Sequence, residues 1–184
     1  EFIVYINKFV YNKINSHYER KIKMNIRKAN NSDIENILKI YACARHYMIE
    51  NGNPTQWSAT YPEEAIIKED IQKGHLHVCV ENDEVVGVFV FFIGNDPTYS
   101  VIKDGEWHSN KPYGVIHRVA SNGKARGVAK ACFDYAKSQA DYLRIDTHND
   151  NKTMQAVIQK NGFIRCGIIH VANGSERIAF DFVR

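Results

Sequence analysis

The stretch Val115–Ala140, VIHRVASNGKARGVAKACFDYAKSQA, decides the fold of this chain. Its first part, Val115–Ala120, is a short apolar run with β-branched residues, which predicts a buried strand that ends at Asn122 and Gly123. From Gly127 onward the apolar residues recur at helical spacing, which predicts an amphipathic helix. A turn of small and basic residues therefore joins a strand to a helix.

This turn has the composition of an anion-binding site. The first N–H groups of a helix lack intrahelical acceptors, and small residues there allow a phosphate to approach the backbone closely. The Walker pattern and the dinucleotide pattern G-x-G-x-x-G are both absent. We interpret the turn as a pyrophosphate cradle, and the alternative is a plain glycine turn. The cradle would consist of Lys124, Ala125, Arg126, Gly127, Val128 and Ala129.

Two motifs, in order, resemble those of the GNAT superfamily of acetyl-CoA-dependent N-acetyltransferases. The run Lys124-x-x-Gly127-x-Ala129 is similar to the family's loop Gln/Arg-x-x-Gly-x-Gly/Ala. A second strand, Leu143–Thr147, is followed by Asn151 and by a helical segment that closes in Gly162-Phe163, as in the family. The resemblance covers roughly residues 25–183.

The resemblance implies an α/β (α+β) fold with a mixed central sheet and helices on both faces. The expected order is β-α-α-β-β-β-α-β-α-β-β, in a single domain over 24–184. Hairpin signals at Asn82-Asp83 and Asn173-Gly174 agree with it. The other expected strands are Met24–Ala29, His75–Glu81, Glu84–Ile93, Ile164–Val171 and Glu176–Val183.

The N-terminal part is less regular. Residues 1–23 differ in composition from the rest, and we interpret them as an appended or non-native extension that could form a docked helix. Ser32 and Glu35 have the spacing of a capping box at the start of a first helix. Pro62 is suited to open a second helix.

For function, the resemblance implies transfer of an acetyl group from acetyl-CoA to a primary amine by direct attack in a ternary complex. It places the Val119 backbone N–H as the oxyanion donor and Asn151 on the pantetheine arm. Many family members protonate the leaving thiolate with a Tyr, and the matching residue here is Ile158. This departure keeps a second hypothesis open, a non-catalytic acyl-CoA-binding or regulatory protein.

An alkyl amine has a pKa of about 10.4, so a general base or a water chain to one is expected. The early fourth strand, where family members often have a carboxylate, has none in 111–118. His117 and Tyr113 share one face of this strand by alternation, and both are catalytic candidates. His148, just past the fifth strand, is a third candidate. Each also has a structural interpretation, as a hydrogen-bonded core or surface residue.

The acceptor site is expected beside the first two helices and the loop Asn51–Trp57. Substrate-binding candidates are Trp57, Trp107 and His148, and Gln56 and Tyr47 are further residues within reach. The long segment Gly94–Pro112, which carries Trp107, is interpreted as a specificity element or an ordinary ordered loop. The acceptor would be a small-molecule or peptide amine of unidentified structure.

Composition excludes some classes. A net charge of +3 is too small to indicate nucleic acid, and no apolar run approaches the ~20 residues of a membrane helix. A nucleotide- or nucleic-acid-binding α/β domain that uses the same cradle is the third hypothesis. His75 and His77 have metal-ligand spacing but no visible third ligand, so we expect an exposed pair and no metal.

Four cysteines without CxxC spacing indicate buried free thiols in the cytoplasm: Cys43, Cys79, Cys132 and Cys166. A homodimer is among the expectations.

Overall fold

The computed structural model describes residues 24–184 as a seven-stranded mixed sheet with four α-helices. The element order is the one predicted from the sequence, and the expectations for residues 1–23 lie outside the described part. The strands are β1 Asn25–Lys28, β2 Leu76–Glu81, β3 Glu84–Ile93, β4 Gly114–Ser121, β5 Tyr142–Thr147, β6 Ile164–His170 and β7 Glu176–Val183. The helices are α1 Ile34–Glu50, α2 Glu64–Gln72, α3 Val128–Gln139 and α4 Lys152–Lys160.

The strand order in the sheet is β1-β2-β3-β4-β5-β7-β6. Strands β4 and β5 are parallel, and the other neighbours are antiparallel. The β4–β5 pairing covers three residue pairs, from Gly114↔Leu143 to Ile116↔Ile145, and then stops. Beyond this point the two strands lack each other as hydrogen-bond partners, which leaves a split in the middle of the sheet.

A bulge bends β4 at the same place. Val90 pairs with His117 and Val88 pairs with Ala120, so Arg118 and Val119 together lie opposite Phe89. Arg118 has a φ of +51°, which non-glycine residues adopt rarely. An extra residue in one strand of an antiparallel pair increases the local bend. The bulge therefore turns the end of β4 away from β5.

Helices cover both faces of the sheet. On one face, α3 and α4 bury Cys132, Phe133 and Ile158 against strand residues that include Phe89 and Ile145. The other face has a separate core, in which α1 and α2 pack on β2, β3 and β4. The helices contribute Ile37, Ile40, Tyr41 and Ile67, and the strands contribute Val78, Val88, Val90 and Ala120. Alternation along the strands assigns neighbouring residues to the two cores.

The segment 94–112 covers the second half of the α1 face. Tyr99 of this segment is buried in a third cluster with Tyr113, Tyr142 and Ala179. Lys103 exchanges two backbone hydrogen bonds of 2.8 Å with Ile168, which attaches the segment to the edge strand β6. The segment is therefore fixed to the sheet, with a short 3₁₀ turn at Pro97–Tyr99.

Two details of the first helices differ from the sequence predictions. The capping box is formed by Asn30 and Asp33 rather than by Ser32 and Glu35, because a 3₁₀ turn precedes α1. Asp33 accepts the Asn30 N–H at 2.9 Å and also binds the Arg27 guanidinium through two hydrogen bonds. Helix α2 begins at Glu64, two residues after Pro62.

The expected exposed histidine pair is wrong for His77, which is 3% exposed. Its ring stacks on Phe89 at 5.2 Å, and Nε2 lies 3.1 Å from the Tyr135 hydroxyl. Burial lowers the pKa of His77, which favours the neutral ring. His77 is therefore a packed residue of the sheet and is unsuited to pair with His75 at a surface metal site.

Candidate active site

A cavity of about 1070 Å³ runs through the split between β4 and β5. Ile116–Ser121 of β4 and Ile145–Thr147 of β5 line its middle, and Val119 lies in the bulge at its centre. The cavity thus has access to both faces of the sheet, as a site must if two ligands meet from opposite sides.

At one end the cavity reaches Asn122 and Gly123, at the start of the turn that leads to α3. Gly127 is the N-cap of α3, with a φ of +81° and no side chain to cap the helix. The first helical bond runs from the Ala131 N–H to Gly127 O at 2.9 Å. The N–H groups of residues 128–130 therefore lack a helical acceptor and are available to an anion.

The basic side chains of this turn are not part of the cavity lining. Lys124 forms an ion pair with Glu84 of β3, and Arg126 is exposed. None of residues 124–129 lines the cavity itself, although Gly123 does. The turn thus offers backbone N–H groups, with the exposed cations of Lys124 and Arg126 beside them.

Asn151 lines the cavity on the β5 side as the N-cap of α4. Its side-chain oxygen accepts the Met154 N–H at 3.0 Å, and its amide nitrogen donates to Gln56 Oε1 at 2.9 Å. Gln56 comes from the loop after α1, so this hydrogen bond connects the α1 side of the cavity to the α4 side. The cofactor contact expected for Asn151 would have to replace or share the bond to Gln56.

The α1 face contributes the acceptor-side residues that the sequence indicated. Trp57 lies between Tyr41 and Tyr61, with ring centroids 5.7 and 5.8 Å away, and it lines the cavity together with Gln56 and Tyr47. Its contacts with the α1 core give Trp57 a packing role at the same time.

His117 lies between two carboxylates that line the cavity with it. Its Nε2 lies 2.7 Å from Asp96 Oδ2, and its Nδ1 lies 3.6 Å from Asp146 Oδ1. Burial would raise the pKa of Asp96, but hydrogen bonds from His117 and Thr98 outweigh it and lower this pKa to about 2. Asp96 is therefore ionised at neutral pH and fixes the ring of His117.

Asp146 completes this cluster from β5. Its Oδ1 accepts the Tyr99 hydroxyl at 2.8 Å. Burial and the nearby Asp146 hold the pKa of Tyr99 well above its usual value, so Tyr99 remains a donor. Within residues 24–184, Asp146 Oδ2 has no hydrogen-bond partner, and Asp146 lines the cavity. Asp146 was not among the candidates predicted from the sequence, and its only signal was a carboxylate near the end of a predicted strand.

Arg118 lines the cavity and is held in place by α2 and the loop before it. Its guanidinium binds Asp70 of α2 at 2.6 Å and the Tyr61 hydroxyl at 3.2 Å. These contacts hold α2 against the bulge of β4. They also supply the compensation that a strained, largely buried arginine requires.

Three candidate residues lie outside the cavity lining. The Trp107 indole donates to Tyr99 O at 3.1 Å, and its ring packs on the guanidinium of Arg144 at 4.0 Å. Tyr113 is buried, and its hydroxyl accepts the Asp96 N–H at 3.1 Å. His148 accepts the Asp150 N–H at 3.2 Å in the turn before α4. These placements favour structural roles for all three.

Ile158 lies at the position where many family members have a Tyr. Ile158 is fully buried in the α3–α4 core and has no group that could protonate a thiolate.

All four cysteines are free, but Cys43 is exposed and lines the cavity, contrary to the expectation that each thiol is buried. It lies on α1, on the side of the helix that faces the opening.

A group of three potential metal ligands joins His108 of the segment 94–112 to Cys166 of β6 and Asp181 of β7. Asp181 already accepts the His108 N–H and faces His108 Nδ1, both at 2.8 Å, and it accepts the Tyr142 hydroxyl at 3.1 Å. This hydrogen bonding accounts for the buried carboxylate without an ion. The expectation of no metal stays a prediction.

The split sheet, the uncapped helix and the connecting cavity are the geometry of an acyltransferase. The family model for the acetyltransferase (GNAT) domain matches residues 23–164. The chain therefore belongs to the GNAT acetyltransferase family, and it is an acyltransferase.

Solved structures agree with this assignment. A GNAT-family acetyltransferase from Streptococcus agalactiae 2603 is 28% identical, with a TM-score of 0.79 over 88% of this chain and 95% of the other. A protein from Staphylococcus aureus MU50 assigned as an acetyltransferase is 26% identical, with a TM-score of 0.62 over 85% and 96%. A GNAT-family structure from Bacillus cereus ATCC 10987, at 20% identity and a TM-score of 0.58 over 88% and 97%, shares the fold. No curated protein sequence is significantly similar to this chain.

Within residues 24–184, the helices are too short or too polar to span a bilayer.

Proposed function

We propose that this protein transfers an acetyl group from acetyl-CoA to a primary amine of a small molecule or peptide, by direct attack in a ternary complex. The observation that carries the proposal is the cavity that joins the split at Val119 to the carboxylate–histidine cluster at His117. The same cavity reaches Gly123, in the turn that leads to the free N–H groups at the start of α3.

The residues present fit coenzyme A. The N–H groups at the start of α3 suit its pyrophosphate, and a Cβ placed on Gly123 or Gly127 meets no atom within 4 Å, so the approach to the backbone is open. Lys124 and Arg126 supply positive charge beside it. The unpaired edges of β4 and β5 suit the amide groups of the pantetheine arm. Bound acetyl-CoA supplies the thioester whose carbonyl carbon the amine attacks.

The acceptor must lose a proton before it attacks, because the ammonium has no lone pair. Asp146 is placed to bind the ammonium through its free oxygen, and His117, held by Asp96, accepts the proton directly or through a water. The Val119 N–H stabilises negative charge on the carbonyl oxygen. As the new amide bond forms, the carbon–sulfur bond breaks. The nitrogen loses its second proton, and the thiolate of coenzyme A takes up one proton to become a thiol.

Because Ile158 takes the place of the family's Tyr, the leaving thiolate has no dedicated proton donor on α4. The thiolate either leaves unassisted or takes its proton from the acceptor through water. Slow turnover is therefore compatible with the proposal, whereas a purely regulatory protein would bind acyl-CoA with no transfer to any amine.

The test measures CoA release from acetyl-CoA with a panel of primary amines, for the wild type and for His117→Gln. We expect kcat to fall by roughly 10²–10⁴-fold in the variant, since a positioned acid–base group contributes about that much. The dissociation constant of acetyl-CoA, measured by calorimetry, should change little. His46→Gln, an exposed histidine on α1, is the matched control and should behave as wild type.

An unchanged kcat in His117→Gln across the pH range would remove His117 as the proton acceptor. Failure of the wild type to release CoA with any amine, despite selective binding of acetyl-CoA, would leave the regulatory function instead.

A further inference from the structure

Arg177 is a buried cation without a matching anion. It lies on β7, is 7% exposed and lines the cavity. Its guanidinium donates to neutral oxygens: Ser175 Oγ at 2.7 Å, Glu176 O at 2.9 Å and Gln56 O at 3.3 Å. In the part of the chain that the structure describes, no carboxylate oxygen lies within 4.0 Å of it. Burial of a charge on these terms is costly.

Two other buried arginines show how this fold compensates such a charge. Arg118 binds the carboxylate of Asp70 at 2.6 Å. Arg144 lies 4.0 Å from the ring centroids of Trp107 and Tyr113, so two aromatic faces hold it. Arg177 has neither kind of partner among the described residues. Among the described residues, the guanidinium of Arg177 thus lines the cavity with hydrogen bonds to neutral oxygens only, and its charge can be neutralised by an anion from outside the chain.

The surroundings of Arg177 place it on the acceptor side. Gln56 belongs to the loop that carries Trp57, and the turn 171–173 between β6 and β7 lines the same end of the cavity. Burial lowers the pKa of Arg177, and the nearby Asp146 opposes this effect. Asp146 and Arg177 both line the cavity, and their charges interact although the two side chains form no ion pair.

We infer that the acceptor is an amine that carries its own oxyanion, a carboxylate or a phosphate, a few bonds from the nitrogen. The oxyanion binds Arg177 while the ammonium faces Asp146 and His117. This inference rests on the proposed function, since it identifies the substrate class of the same site. Each charge of such a ligand then lies against an opposite charge of the cavity. An amine without an oxyanion would pair with Asp146 and leave Arg177 without an anion.

The test uses matched ligand pairs that differ in the oxyanion. The carboxylate arm compares the standard α-amino acids with their carboxamides, and the phosphate arm compares 2-aminoethyl phosphate with ethanolamine. Binding is measured by calorimetry with desulfo-CoA present, and kcat/KM is measured with acetyl-CoA. We expect at least one anionic ligand to exceed its neutral partner by about tenfold or more, with the responding arm identifying the oxyanion.

Arg177→Met should reduce that preference to near unity by raising KM and Kd for the anionic member, and Arg177→Lys should retain part of it. Arg165→Met, an exposed arginine on the neighbouring strand β6, is the control for loss of positive charge and should keep the preference. Thermal unfolding of each variant shows whether it is folded.

Binding and turnover separate the two proposals. Preferential binding that Arg177→Met removes, without acetyl transfer, would support the oxyanion site and contradict the acetyltransferase mechanism. Equal binding of every anionic and neutral pair, or a preference that survives in Arg177→Met, would overturn the oxyanion site even if amines are acetylated.

Discussion

At the scale of single residues, the carboxylate–histidine cluster is built from charges that depend on one another. Asp96 comes from the segment after β3, His117 from β4 and Asp146 from β5, and the three meet at the split. The sequence indicated His117 because it alternates onto the right face of a predicted strand. It could not indicate Asp96 or Asp146 as partners, because their meeting depends on how the segment 94–112 folds back.

The stability of the protein should depend on Asp96 in acid. The folded-state pKa of Asp96, about 2, lies below its ordinary value of 3.8, so the unfolded state binds more protons between these values. The contribution of Asp96 is therefore present above about pH 4 and lost as the pH falls toward 2.

This component should amount to about 2 kcal/mol at neutral pH. Urea unfolding of the wild type and Asp96→Asn from about pH 6 to about pH 2.5 checks it, with convergence of the two curves expected in acid. Asp134→Asn, at an exposed carboxylate on α3, should show a much smaller difference. A gap between wild type and Asp96→Asn that persists at low pH would contradict the assignment.

At the scale of elements, the strand–turn–helix unit around Gly127 was the most predictable part of the fold. The predicted strand 115–120 became Gly114–Ser121, and the predicted helix begins at Val128, one residue after the glycine. The bulge at Arg118 was not predictable, because an arginine at φ +51° carries no local signal of the kind that Gly or Asn provides. The contacts that accompany it, those of Arg118 with Asp70 and Tyr61, are tertiary.

Gly127→Glu should weaken acetyl-CoA binding by about tenfold or more, because it places a carboxylate at the helix N-terminus where the pyrophosphate would bind. Gly52→Glu is a close control: Gly52 has a φ of +78° against +81°, and a Cβ at either position meets no atom within 4 Å. Both variants should lose a similar roughly 1–3 kcal/mol of stability from backbone strain. Equal acetyl-CoA affinities in the two variants, measured by calorimetry, would mean that this turn does not bind the cofactor.

At the scale of the whole molecule, the cavity separates the two halves of the sheet, β1–β4 and β5–β7, which pair directly over three residue pairs. A ligand in this position contacts both halves and should stabilise the entire fold. The overall order of elements followed from the sequence because hydrophobic periodicity and turn residues report it locally. The cavity did not, because residues from most of the elements line it.

Acetyl-CoA at about 100 times its dissociation constant should stabilise the native state by about 2.7 kcal/mol, which corresponds to a rise in Tm of roughly 5–10 °C for a protein of this size. Differential scanning fluorimetry with acetyl-CoA, desulfo-CoA, ATP and NAD measures it. We expect the two coenzyme A compounds to raise Tm and the other nucleotides to have little effect. Equal shifts with ATP would indicate a general phosphate site instead.

The interrupted pairing of β4 and β5 has a consequence for recognition. Each strand edge beyond Ile116 and Ile145 still carries the peptide groups that a neighbouring strand would have used. Under the proposed function, the pantetheine arm, with its own amide groups, would occupy the position of an absent strand. The protein would then recognise its cofactor by peptide mimicry, and the sheet would be continuous from edge to edge when the acetyl donor is bound.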